Sequence, residues 1–176
     1  MTGAGTGTGP AARQGGLAWL WLSVGVIALD QATKHLILAA FRPGEELVLA
    51  PFMSLVLAFN SGAAFSFLAG ADGWQRWLFV AIAIAACAIM VWLLRRGGSV
   101  LFCASLALIV GGALGNLYDR LTLGHVVDFL LFHYQRWYYP AFNAADSAIT
   151  IGAVALVIDS FRGGRKGAAR SRAGDP

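Results

Sequence analysis

Residues 17–40 read LAWLWLSVGVIALDQATKHLILAA, a run of 24 that is long enough to cross a hydrocarbon core yet carries Asp30, Gln31, Thr33 and Lys34 in its second half. The length predicts a membrane span, and the interruptions call for a reason. A carboxylate held within hydrocarbon costs at least about 2.5 kcal/mol, so such groups are kept where they find partners or carry out chemistry. Two further runs, 77–94 and 100–118, are plainly apolar. The last, 142–161, spans only if Asp146 is counted inside it, because 147–158 alone is twelve residues. Four predicted spans follow, and two of them contain an acid.

Composition agrees. Hydrophobic residues make up 58% of the 176 and charged residues 12%, a balance that excludes a soluble monomer built around one core. The predicted fold is an all-α membrane protein with four transmembrane helices and a small β-containing segment outside the cytoplasm. That segment, 41–73, alternates apolar stretches with Pro43, Gly44, Pro51, Gly62 and Gly70 and is too broken to span. Residues 1–16, rich in Gly, Thr and Ala, predict a disordered tail, and 162–176 a basic one that meets anionic headgroups. The first run, preceded by Arg13, also has the outline of a signal peptide, but cleavage there would discard Asp30 and no clear small-x-small site precedes that residue. Gly111 and Gly115 have the spacing that lets helices approach closely. Trp137, Tyr138, Tyr139 and Pro140 read as an aromatic belt at the water boundary.

The formal charge of +4 lies in clusters beside apolar runs, not in a basic stripe interleaved with aromatics, so nucleic acid is not the expected partner. Charge instead sets topology. Four spans put both termini and the Arg95-Arg96 turn on one side, which collects eight of the thirteen basic residues and only Asp159 and Asp175 of the nine acids. The positive-inside rule makes that side cytoplasmic. Cys87 and Cys103 each stand alone in an apolar run, and the three histidines show neither zinc spacing nor an H-E-x-x-H motif. No metal and no cofactor are expected.

At about 1.5 Å per residue, counting from the cytoplasmic end of each helix puts Asp30 and Asp146 roughly 20 Å up and Asn116 roughly 25 Å up in a core of about 30 Å. Three helices thus place polar groups at one level, under the outer surface. Five clusters converge there: DQATK at 30–34, FNSGAAF at 59–65, GGALGNLYDR at 111–120, HVVDF at 125–129 and FNAADS at 142–147. Asp128 falls in HVVDFLLF, too short to span, which is expected to dip from the outer surface toward that level.

This set, in this order on four predicted spans, resembles bacterial lipoprotein signal peptidase (signal peptidase II), and the likeness covers roughly 17–161. The resemblance implies an inner-membrane aspartyl peptidase that removes the signal peptide of prolipoproteins, cutting before a cysteine carrying diacylglycerol. It implies that Asp128 and Asp146 are the catalytic pair, with Asp30, Lys34, Asn60, Asn116, Arg120 and Asn143 ordering the acids and contacting substrate, and Gly62 allowing close approach. It further implies sensitivity to globomycin, contact with membrane lipids and action as a monomer near the outer leaflet. Two carboxyls held close cannot both ionise, so one keeps a proton while the other deprotonates a shared water, and neither metal nor covalent intermediate is needed.

Structural readings stand beside these. Asn143 with an acid three residues on matches a capping box. Asp30 and Lys34, one turn apart, can simply neutralise one another. Asp119 reads best as half of an interfacial ion pair with Arg120 or as a water-facing charge at a helix end. The apolar outer stretches, 47–59 and 65–68, serve either to shield a site and receive acyl chains or to anchor at the interface. A transporter or proton-relay subunit is the rival function, since intramembrane acids also mark ion paths, and a non-catalytic scaffold for lipidated signal peptides is the third.

Overall fold

The architecture follows from four helices that cannot satisfy their backbone groups in lipid except internally. A computed structural model describes residues 15–62 and 74–173, with side chains through Arg162. The expected tail up to residue 14, the stretch 65–68 and the basic side chains beyond Arg162 lie outside these. In chain order the elements are a 3-10 turn (Gly16–Trp19), α1 (Leu20–Ala40), β1 (Glu46–Ala50), β2 (Met53–Asn60), α2 (Trp74–Arg96), α3 (Val100–Thr122), β3 (Val126–Tyr134), β4 (Trp137–Tyr138) and α4 (Ala144–Ala173). Four helical segments, Gly16–Ala40, Trp74–Arg96, Val100–Thr122 and Ala144–Arg162, are long and apolar enough to cross a membrane.

α3 is the axis of the bundle, with 61% of its most apolar stretch buried against 17% for each of the others. Small residues make this possible. A Cβ at Gly111 would lie 2.7 Å from the Val26 Cβ on α1, one at Gly115 2.7 Å from Asp30 Oδ2, and one at Gly152 of α4 2.7 Å from the Ser105 carbonyl of α3. Gly112, not singled out from the sequence, lies directly against the Ala145 carbonyl of α4. Backbones approach closely where side chains are missing. At the opposite end from the sheet, α2 stops at Gly97 (φ 68°), whose N–H bonds the Leu94 carbonyl at 3.0 Å, and Ser99 caps α3 by accepting from Phe102 N at 3.0 Å. Ser99 Oγ also donates to Asp159 Oδ1 at 2.5 Å, tying that turn to α4.

The sheet is antiparallel in the order β1-β2-β3-β4. HVVDFLLF, too short to span, is extended. It forms most of β3, where Ala58 of β2 is the register partner of Asp128. Alternation along that strand is decisive: Val127 and Phe129 pack with Ile37 and Leu57 in a core that seats the sheet on α1, while Asp128 between them takes the other face. Phe142 is held to Leu130 by a β-bridge, so α4 begins only at Ala144.

Candidate active site

The C-terminal ends of α1 and α3, the N-terminus of α4 and the inner strands of the sheet meet at one end of the bundle. All nine residues singled out from the sequence, Asp30, Lys34, Asn60, Gly62, Asn116, Arg120, Asp128, Asp146 and Asn143, gather there.

Two sub-clusters can be separated. The first centres on Lys34, 1% exposed, whose three protons are all used: Nζ lies 2.7 Å from Asp30 Oδ2, 2.7 Å from Asp119 Oδ2 and 3.0 Å from Asn116 Oδ1. The acids are satisfied in turn. Asp30 Oδ1 accepts from Ala145 N at 2.9 Å, and Asp119 accepts from Gln31 Nε2 at 2.9 Å and Val127 N at 3.2 Å. The expectation for Asp119 is therefore corrected in its surroundings and its partner: it is 1% exposed, so not water-facing, and it pairs with Lys34 and not with Arg120. Its spacing carried the signal, since Asn116 and Asp119 are three residues apart and share a helix face. Gln31 was likewise missed as a bridge. Asp30 and Lys34 do neutralise one another, as their spacing allowed.

The second sub-cluster holds two carboxylates with neutral amides. Asp128, 2% exposed, accepts from Asn143 Nδ2 at 2.7 Å on one oxygen and from Asn60 Nδ2 at 3.0 Å on the other. Asp146 accepts from Asn116 Nδ2 at 2.8 Å and from the Asn143 backbone N at 3.2 Å. The capping box is real, because Asp146 N returns a bond to Asn143 Oδ1 at 2.9 Å. It does not exhaust the acid, whose other oxygen takes the Asn116 amide. Asn143 is fully buried and touches both carboxyls, one through its side chain and one through its backbone. Gly62, at φ 96°, donates its N–H to Asn60 Oδ1 at 2.8 Å and so orients the amide that faces Asp128.

Burial pushes the Asp128 carboxyl up to about 7; the Asp146 carboxylate adds to the rise, while bonds from Asn60 and Asn143 and the charge of Lys34 oppose it. Asp146, half-buried, opens onto a cavity of about 560 Å³ lined also by Phe132, Trp137, Tyr139, Phe142 and Ile151. Arg120 stands beside the pair and reaches the Asn116 carbonyl at 3.4 Å. Chemically, two close carboxyls, one able to retain its proton near neutrality, next to an apolar cleft, suit acid–base activation of water.

Fold and site together define a multi-pass membrane protein with a polar chamber closed over by a small sheet, of the kind that acts on a bond inside or at the edge of a bilayer. The sequence profile of the family described as signal peptidase (SPase) II matches residues 22–162. The chain is 55% identical over 163 residues to the lipoprotein signal peptidase of Pseudomonas fluorescens, covering 90% of this chain and 96% of that one. It is also 55% identical over 161 residues to that of Pseudomonas aeruginosa, covering 89% and 95%. Two solved structures described as a bacterial membrane enzyme superpose with TM-scores of 0.73 and 0.72 at 29% and 30% identity, covering 82% and 81% of this chain and 88% and 91% of theirs. The chain belongs to the signal peptidase II family: it is a multi-pass bacterial membrane protease that acts on the signal peptides of prolipoproteins.

Proposed function

We propose that the chain cleaves diacylglyceryl-modified prolipoproteins immediately before the lipidated cysteine, with Asp128 and Asp146 sharing one water. The observation that carries this reading is the bridge made by Asn143, which holds two carboxyls from different elements, neither of them in an ion pair among the described residues. Asp128, in the drier position, retains the proton. Asp146, at a helix N-terminus that favours its charge, takes a proton from the water. The water oxygen attacks the scissile carbonyl carbon as Asp128 protonates the carbonyl oxygen. The resulting diol collapses when Asp146 passes its proton to the departing nitrogen and Asp128 recovers one from a hydroxyl, so both acids end as they began. No metal and no covalent intermediate enter the scheme.

Asn60, Asn116 and Asn143 orient the acids, Arg120 contacts the substrate backbone, and the Lys34 cluster carries the frame on which Asn116 is held. Orientation by the positive-inside rule puts both termini in the cytoplasm and this end of the bundle near the outer leaflet of the inner membrane, where a lipidated cleavage site lies. The enzyme acts as a monomer among membrane lipids, and globomycin blocks it by occupying the acid pair.

The test uses purified protein and a diacylated lipobox peptide. Cleavage of that peptide, resistance of the unlipidated peptide and inhibition by globomycin are expected. Equal cleavage of both peptides would make the chain a general membrane protease. The rival proton relay predicts pH-coupled ion flux in proteoliposomes, and its presence without peptide cleavage would replace this reading.

A further inference from the structure

α2 places no charged side chain in the bonds that hold the acid pair, yet one of its rings touches both arms of the site. Phe79, half-buried, lies with Cε2 and Cδ2 at 2.5 and 2.6 Å from where a Cβ on Gly62 would stand. The Arg120 guanidinium carbon lies 5.2 Å from the centroid of the same ring, within the range of a cation–π contact.

Each neighbour leads to an acid. Gly62 bonds Asn60, and Asn60 bonds Asp128. Arg120 faces Asp146, Asp128 and Asp119 electrostatically. Among the described residues, however, no carboxylate lies within ion-pair distance of it, its Nε has no partner, and its one hydrogen bond is the long one to the Asn116 carbonyl. A guanidinium surrounded by acids and so weakly tethered would be expected to swing onto one of them in a bidentate pair. The Phe79 ring offers its face to the cation and takes up none of its N–H groups.

We infer that Phe79 is a positioning residue, an aromatic shelf that keeps Arg120 beside the acid pair without closing on it and supports the Gly62–Asn60 turn against Asp128. The inference rests on the acid-pair reading above. Without the shelf, Arg120 pairs with Asp128 or Asp146, the shared proton is released, and donors meant for substrate are spent internally. The charges facing Asp128 are Lys34 from α1, Arg120 from α3 and Asp146 from α4.

The experiment compares full-length Phe79→Leu, Phe79→Met and Phe79→Tyr with the parent on the diacylated peptide, together with Asp128→Asn. Replacing the ring by an aliphatic chain should lower kcat roughly three- to thirtyfold, with KM changed less. It should also move the alkaline limb of the kcat profile to lower pH, because a cation on Asp128 favours its ionised form. Phe79→Tyr, which keeps the ring face, should restore both. An unchanged kcat and pH limb in folded Phe79→Leu would overturn the inference, and so would loss of folded protein in both aliphatic variants, since the ring would then support only the fold. Retained cleavage by Asp128→Asn would instead overturn the acid-pair reading, whatever the Phe79 variants do.

Discussion

Lys34 and Asn143 sit one bond apart from a common neighbour, Asn116, yet the clusters around them differ in kind. Around Lys34, two carboxylates share one ammonium whose every proton is engaged, and the group is sealed from solvent. Around Asn143, two carboxylates take their hydrogen bonds, among the described residues, from amide donors, and one of them opens on a cavity. The same residue types therefore produce a strut in one place and the proposed reactive site in the other. The difference is whether an ammonium sits in contact with the acids: around Lys34 it does, and around Asn143 the described bonds to the carboxylates come from amides, which is the arrangement the proposed shared proton needs.

The comparison is broken most severely at the acids themselves. Asp128→Asn and Asp146→Asn should each lower kcat by about 10²–10⁴ while the protein still inserts and its thermal midpoint in detergent holds or rises, since a desolvated carboxyl has been removed. Activity surviving either change would place the chemistry elsewhere. Lys34→Met attacks the other cluster and should do the opposite. Two buried carboxylates lose their cation at a cost of about 3–5 kcal/mol, so yield and thermal midpoint should collapse before any rate can be measured; a stable Lys34→Met protein would show that the strut is not needed.

A pH series sharpens the contrast further. The Asp128 carboxyl, pushed up to about 7, is protonated below that value and loses its proton above it. As the proposed acid it should make kcat fall about tenfold per pH unit on the alkaline side, and a rate flat to pH 9 would remove it from that role. Outside the charged side chains of both clusters effects should shrink. Gly112→Ala, which pushes α3 from the Ala145 backbone, should cost about 1–3 kcal/mol. Ser99→Ala, at the far end of α3, loses a helix cap worth about 1 kcal/mol and should leave kcat untouched.

Much of this was legible in the chain. A span announces itself because lipid tolerates only long apolar helices, and an acid within a span is conspicuous because it is costly there. Counting residues along each helix placed Asp30, Asn116 and Asp146 at similar heights, and in the folded protein Asp30 bonds the backbone of Ala145 while Asn116 bonds Asp146. What height could not supply was direction. Asp119 lies at a helix end, where water and the protein interior are equally available, and only the packing of α3 against α1 turned it inward onto Lys34. Phe79 carries no polar signal at all, so nothing in an apolar run distinguished it from its neighbours.

Residue order was enough to show four helices long and apolar enough to cross a bilayer, polar groups at matching positions along three of them, and which family the chain resembles, because hydropathy and motif belong to residues in order. The tertiary structure alone decided which carboxylates received a cation and which were left to one another. It also decided that Asp128 stands on a strand between two core-facing residues, and which ring lies under Arg120. Those outcomes depend on the few ångströms at which side chains from separate helices and strands meet, a distance that only the packed backbone sets.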